Sequence, residues 1–171
     1  MKNLFETDYP AYFSTYINQV ENDDCIEALE ENMNDFVNFI ENIVPVEKYE
    51  YRYQAEKWSI KEIVQHIIDA ERIFAYRALR FARFDKTPLA SFEENDYVDV
   101  SEANNREMND LLQEFLLVRK STIKMFESFS DEMISRTGIA SGKEVKVLAV
   151  GFIISRHAIH HQKVIKERYL K

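Results

Sequence analysis

Apolar side chains recur at steps of three and four through most of this chain, and little interrupts them: 171 residues contain only three glycines and three prolines. That period belongs to one face of an α-helix, whereas a half-buried strand alternates every second residue. Ile26, Leu29, Met33, Phe36, Val37 and Ile40 form the first stripe, and Pro45 marks where it has ended. The second opens at Ser59-Ile60-Lys61-Glu62, a capping box in which hydroxyl and carboxylate each satisfy an orphan backbone amide. It continues through Ile63, Ile67, Ala70, Phe74, Arg77 and Phe81, and Lys86-Thr87-Pro88 is expected to stop it. A third helix is expected after Ser101, through Met108, Leu111, Leu112, Phe115, Leu116, Arg119, Ile123 and Phe126 to Phe129. The fourth carries Val147, Val150, Gly151, Ile154, Ala158, Val164 and Ile165 to the basic end Lys166-Glu167-Arg168, where cations suit the helix dipole. A shorter leading helix from Tyr9 to Val20, beginning near Pro10, is expected before the polar break Glu21-Asn22-Asp23-Asp24.

Four long amphipathic helices with short to medium links specify an all-α helical bundle, a single domain over residues 1–171 with a short additional N-terminal helix. The stretch around Gly138 and Gly142 reads as irregular, and the segment from Asp85 to Val100 as a loop with five acidic residues and several aromatics. A loop of that length is often a lid or a binding loop. The formal charge is -8, from 30 acidic against 22 basic residues, and no basic run could track phosphates, so nucleic acid is not an expected partner. No apolar run approaches the roughly 18 residues of a spanning helix. Acidic residues stand where a signal peptide would place its apolar core, so the expected location is cytoplasmic, away from membranes. The one cysteine, Cys25, has no Cys or His at a metal-ligand spacing and reads as an ordinary structural residue.

All four histidines fall in two of the helical segments: His66 in the second, and His157, His160 and His161 in the fourth. His157 and His161 are four residues apart, so both project from one helix face and can reach a single divalent cation. Taking His157 as zero at about 100° per residue, Val150, His161, Ile154 and Ile165 fall at roughly +20° to +80°, inside the buried stripe. His160 falls near -60°, roughly at the rim, better placed for supporting contacts or solvent. His66 lies one turn from both Ile63 and Ala70 and also faces inward. A single histidine on an apolar face is ordinarily a hydrogen-bonded core residue. Three imidazoles turned inward each need partners for two ring nitrogens, and one cation satisfies all three. Such a donor set suits zinc or nickel, whereas magnesium and calcium prefer oxygen. Three protein ligands leave a position open, the arrangement of catalytic zinc, where a bound water or thiol would be activated.

These same residues carry a family resemblance. Trp-Ser-x-Lys-Glu-x-x-x-His-x-x-x-x-Glu over Trp58 to Glu71, paired with His-x-x-His-His at His157 to His161, resembles the DinB superfamily, including its YfiT-like members. The likeness runs from Ile26 to Leu170. It implies an antiparallel four-helix bundle of up-down-down-up character, a metal triad on His66, His157 and His161, and a homodimer. It further implies either a thiol S-transferase using a low-molecular-weight thiol such as bacillithiol, mycothiol or glutathione, or a metal-dependent hydrolase.

Other residues invite weaker readings. Glu71 and Asp69, near His66, are the expected catalytic carboxylates, to orient an imidazole or accept a proton, although Glu71 also suits a pair with an arginine. Asn104-Asn105-Arg106 is expected to open the third helix and offer donors to an anionic substrate, or simply to cap it. Trp58 reads as a hydrophobic staple. Arg77 and Arg80 read as partners of the acidic loop, in solvated ion pairs. The function that unites these readings is metal-dependent activation of a low-molecular-weight thiol for transfer to a small electrophilic substrate. The alternatives are hydrolysis by activated water, or a non-catalytic, stress-related metal-binding bundle.

Overall fold

The computed structural model describes residues 4, 8–11 and 24–171. Beyond residue 11, the leading helix expected up to Val20 lies outside the described residues. Helix α1 (Cys25–Asn42) is capped by Asp24, whose carboxylate accepts from the amides of Ile26 and Glu27 at 2.9 and 3.2 Å. It buries Leu29, Phe36 and Ile40 completely. Helix α2 (Ile60–Ala82) begins at the expected capping box: the Ser59 hydroxyl accepts from the Glu62 amide at 3.2 Å, and the Ser59 amide donates to Glu62 Oε2 at 2.6 Å.

The far end of α2 comes earlier than the proline suggested. Phe84 takes a left-handed φ of 65°, and the amides of Phe84 and Asp85 donate to the carbonyls of Phe81 and Arg80 at 3.0 Å. This is a Schellman closure with phenylalanine where glycine is usual. The loop expected over Asp85 to Val100 is partly structured. It holds helix α3 (Glu94–Asp99) and a parallel bridge from Leu89 to Ala140. Helix α4 (Met108–Glu127) starts later than expected, because Glu102 turns left-handed (φ 52°) into a 3-10 turn at Ala103–Asn105.

After the short α5 (Asp131–Ser135), the supposedly irregular stretch is a hairpin of β1 (Thr137–Ala140) and β2 (Lys143–Lys146), leading into α6 (Val147–Arg168). The protein is therefore mostly helical rather than all-α. Ala140 pairs with Lys143, and both turn residues, Ser141 and Gly142, have positive φ (52° and 71°), which is the geometry of a type I′ turn. Gly138 is fixed by packing, since a Cβ there would lie 2.0 Å from the Phe81 ring.

Cross-helix contacts fix the directions. Asn32 meets Arg119 and Phe36 meets Phe115, so α1 and α4 run antiparallel. Phe74 and His66 meet His157, and Trp58 meets Tyr169, so α2 and α6 are antiparallel too. Ala28 with Ser155 and Phe39 with Lys166 make α1 and α6 parallel, as Gln65 with Arg106 and Glu71 with Arg119 do for α2 and α4. The four long helices thus run up, down, down, up. Two apolar clusters fill the bundle, one including Leu29, Phe74, Phe126 and Ile154, the other Phe36, Ile67, Phe115 and Ile165. Where the clusters meet, every long helix sends a polar group inward: Asn32, Glu71, Arg119 and His157.

Candidate metal centre

His66 rides on the buried face of α2, and His157 and His161 share a face of α6 one turn apart. The antiparallel pairing of these helices brings all three rings together. The His157 Nε2 atom lies 3.1 Å from His66 Nε2 and 3.0 Å from His161 Nε2, and all three ligand atoms fall within 4.8 Å of one another. A ring nitrogen carries either one hydrogen or one in-plane lone pair. His157 Nε2 therefore bonds with one neighbour and leaves the other facing it unmatched, whereas a single cation receives a lone pair from each. Burial holds the rings neutral, the form that ligates: His66 is pushed down to about 4. His157 and His161 fall well below the ordinary histidine value, through burial first and their neighbours' charge second. The donor set and its spacing fit a divalent ion.

Aromatic side chains hold the cluster in place. The Trp58 ring lies 4.7 Å from His66 and 6.4 Å from His161, centroid to centroid, and Phe74 meets His157 edge-on at 6.2 Å. Tyr169, at the end of the chain, donates from its hydroxyl to the Trp58 carbonyl at 2.7 Å and so fixes that residue from behind. The histidines border a cavity of about 390 Å³, walled by Phe74 and Arg77 of α2, Phe92 and Glu94 of the loop, and Ser141 of the hairpin turn. The long loop thus supplies two residues to the cavity wall. Ser141 was signalled only by a Ser-Gly dipeptide, which reads as a turn and says nothing of where that turn lands.

Other residues named from sequence lie elsewhere. Glu71 is 2% exposed and accepts from Arg119 Nε through both oxygens, at 2.9 and 3.0 Å. Asp69 accepts from Gln65 at 3.0 Å and faces Arg72 on the α4 side. Burial raises its pKa most, against the hydrogen bond from Gln65. Neither carboxylate borders the cavity, whereas His160 does, its ring 5.2 Å from that of His161. Asn104 does not open a helix. It accepts from the Ser59 hydroxyl at 2.7 Å and donates to Glu62 at 2.9 Å, clasping the start of α2. Arg106 donates to Gln65, and with Asp110 and Glu114 it forms an ion-pair group on the outer face of the bundle. Arg80 pairs with Asp85. Arg77, expected in a solvated pair, is buried instead. Cys25 is buried at the head of α1, and its thiol is pushed up to about 12, by burial foremost.

Residues 28–165 match the family model of the DinB superfamily. The chain belongs to the DinB superfamily. Two solved structures show the same fold. YfiT from Bacillus subtilis, described as a probable metal-dependent hydrolase with an unusual four-helix bundle topology, aligns over 97% of this DinB chain and 93% of its own, at 12% identity and a TM-score of 0.66. A mycothiol-dependent maleylpyruvate isomerase aligns over 86% of this chain at 11% identity and a TM-score of 0.69, the shared part spanning 61% of the isomerase. No curated protein matches the sequence. At these identities the solved structures speak for the fold, and the histidine geometry is this chain's own.

Proposed function

We propose that this protein is a divalent-metal-dependent enzyme, with zinc or nickel held by His66, His157 and His161, that activates a low-molecular-weight thiol for transfer to an electrophile. The observation that carries the reading is the convergence of three neutral imidazole nitrogens, 3.0 to 3.1 Å from one to the next, on an open cavity. A divalent ion there supplies Lewis acidity, lowering the pKa of a thiol or water that meets it. The protein's own part is to hold three neutral donors, to shield them behind Trp58 and Phe74, and to leave the cavity side open to a small substrate. Glu71 holds the buried Arg119, whose positive charge helps keep His157 in its neutral form. In this reading the protein works as a homodimer.

One observation favours a second reading. The neighbour that aligns along nearly its whole length is described as a probable metal-dependent hydrolase. A screen of zinc- and nickel-loaded protein against a panel of electrophiles, with and without cellular thiols, separates the two. Turnover that requires the thiol supports transfer, turnover without thiol supports hydrolysis, and absence of both leaves a non-catalytic metal-binding bundle. Against that last outcome stands Glu71, the carboxylate best placed in sequence to close the fourth position, which is bound to Arg119 instead.

A further inference from the structure

The peptide unit that joins Trp58 to Ser59 is held at both edges. Its N–H, on Ser59, donates to Glu62 Oε2 at 2.6 Å within the capping box, and its carbonyl, on Trp58, accepts from the Tyr169 hydroxyl at 2.7 Å. The first contact closes the start of α2, as in any helix so capped. The second comes from the other helix that carries metal ligands, and capping does not require it. Tyr169 is the C-cap of α6, its amide bonded to the Ile165 carbonyl at 3.0 Å, and it follows His161 by about two turns on the same helix face. The residue is 2% exposed, and its ring packs edge-on against Tyr51 at 6.2 Å and Tyr53 at 4.9 Å. Burial, foremost, raises its pKa, so the phenol keeps its proton and stays a donor.

Anchoring at two points settles where the tryptophan ring goes. With the peptide plane fixed, the Trp58 side chain is aimed at the histidines: its ring centroid lies 4.7 Å from that of His66, inclined at 46°, and 6.4 Å from that of His161, inclined at 31°. It therefore leans on one candidate ligand from each helix. Imidazoles kept in the ligating orientation before an ion arrives lose less freedom on binding it, which is how the groups around a metal's ligands raise affinity. We propose that Tyr169 is a positioning residue of the metal centre, whose hydroxyl sets the Trp58 ring across His66 and His161 and thereby tightens the hold on the divalent ion. This role rests on the metal-site reading above and holds whether thiol or water is activated there.

The test uses full-length protein and cobalt(II), with affinity read from the visible cobalt bands in competition with a chelator and stability from the melting of the metal-free form. Tyr169→Phe keeps the ring against Tyr51 and Tyr53 and deletes only the donor. Its cobalt affinity falls at least about fivefold, somewhat less than the roughly 10–100-fold lost with groups bonded directly to a metal's ligands. In a Trp58→Leu background the same change leaves affinity within about twofold, the scatter of independent sites. It still lowers the melting temperature there, because the carbonyl it bonds belongs to the backbone and remains. Equal losses of affinity in both backgrounds mean a general loosening of the helix ends and overturn the proposal, as does a Tyr169→Phe variant that binds cobalt like the wild type. Acrylamide quenching of Trp58, the sole tryptophan, gives a reading that needs neither metal nor the second variant. Quenching rises in Tyr169→Phe when the ring is released, and a rate equal to the wild type counts against the proposal. A wild type that takes up no cobalt overturns the metal reading itself, and that is seen before any variant is compared.

Discussion

Replacing Glu71 by alanine isolates a positive charge that has nowhere to go. Arg119 has no exposed surface, and its Nε is bound by both Glu71 oxygens, while its Nη1 donates to the Leu29 carbonyl at 3.1 Å and to Asn32 at 2.8 Å. An arginine keeps its charge when buried, so the variant holds an uncompensated guanidinium between the two apolar clusters. Breaking a buried pair in this way costs about 3–5 kcal/mol, a large part of the roughly 5–15 kcal/mol that stabilises a typical domain. For a chain of this size each kcal/mol lowers the melting temperature by about 2–4 °C, so a fall of roughly 6–20 °C follows. Thermal unfolding of the metal-free protein by circular dichroism reads it directly. The double variant Glu71→Leu with Arg119→Met removes both charges and recovers most of the loss, because burying the pair is itself costly. A Glu71→Ala variant that melts within about 2 °C of the wild type, or a double variant less stable than the single, would refute this reasoning. Loss of activity with unchanged stability would instead point to proton transfer by Glu71.

Three further outcomes follow from the same geometry. Trp58 is the sole tryptophan and its ring packs on His66, so adding nickel to metal-free protein quenches the intrinsic fluorescence, and His66→Ala abolishes the response; equal quenching in both proteins would contradict this placement. Because burial holds His66 down to about 4, with His157 and His161 also lowered, the unfolded chain takes up protons first as pH falls. The contribution of these groups to the stability of metal-free protein is complete above about 6.5 and is lost as pH drops through the folded value. Urea midpoints at pH 7.5 and pH 5 should therefore diverge in the wild type and converge when all three histidines are replaced by glutamine; a flat profile in the wild type counts against it. The Cys25 thiol, buried and pushed up to about 12, should resist iodoacetamide at pH 8 in the native protein and react once urea unfolds it, whereas rapid native labelling would show that α1 opens there.

What could be read from the sequence follows the range of the forces involved. The capping box at Ser59 and the apolar stripes of the long helices are local, and they stand where the spacing puts them. The histidine cluster was legible for the same reason: His157 and His161 are fixed by one helical turn, and His66 by its place among Ile63, Ile67 and Ala70. Features set by distant partners were not legible. Helix α2 ends at a phenylalanine held left-handed, where glycine would have announced the stop. Asn104 resembles a helix cap but spends its side chain on Ser59 and Glu62, 45 and 42 residues away. The hairpin hid behind two four-residue strands, the second beginning and ending in lysine, its two-residue turn marked only by Ser141-Gly142. Glu71 carries no sign in its own neighbourhood that Arg119, 48 residues on, will bind it, and the contacts of Arg77 with Ala90 and Ser141 exist only once the loop and hairpin close over α2.

Anomalous diffraction from crystals grown with nickel tests the central claim most directly. The account predicts a single strong peak at about 2.0–2.1 Å from the Nε2 atoms of His66, His157 and His161, with its remaining coordination facing Arg77 and Phe92 across the cavity. A peak elsewhere, or three imidazoles joined only by hydrogen bonds in crystals saturated with the metal, would contradict it.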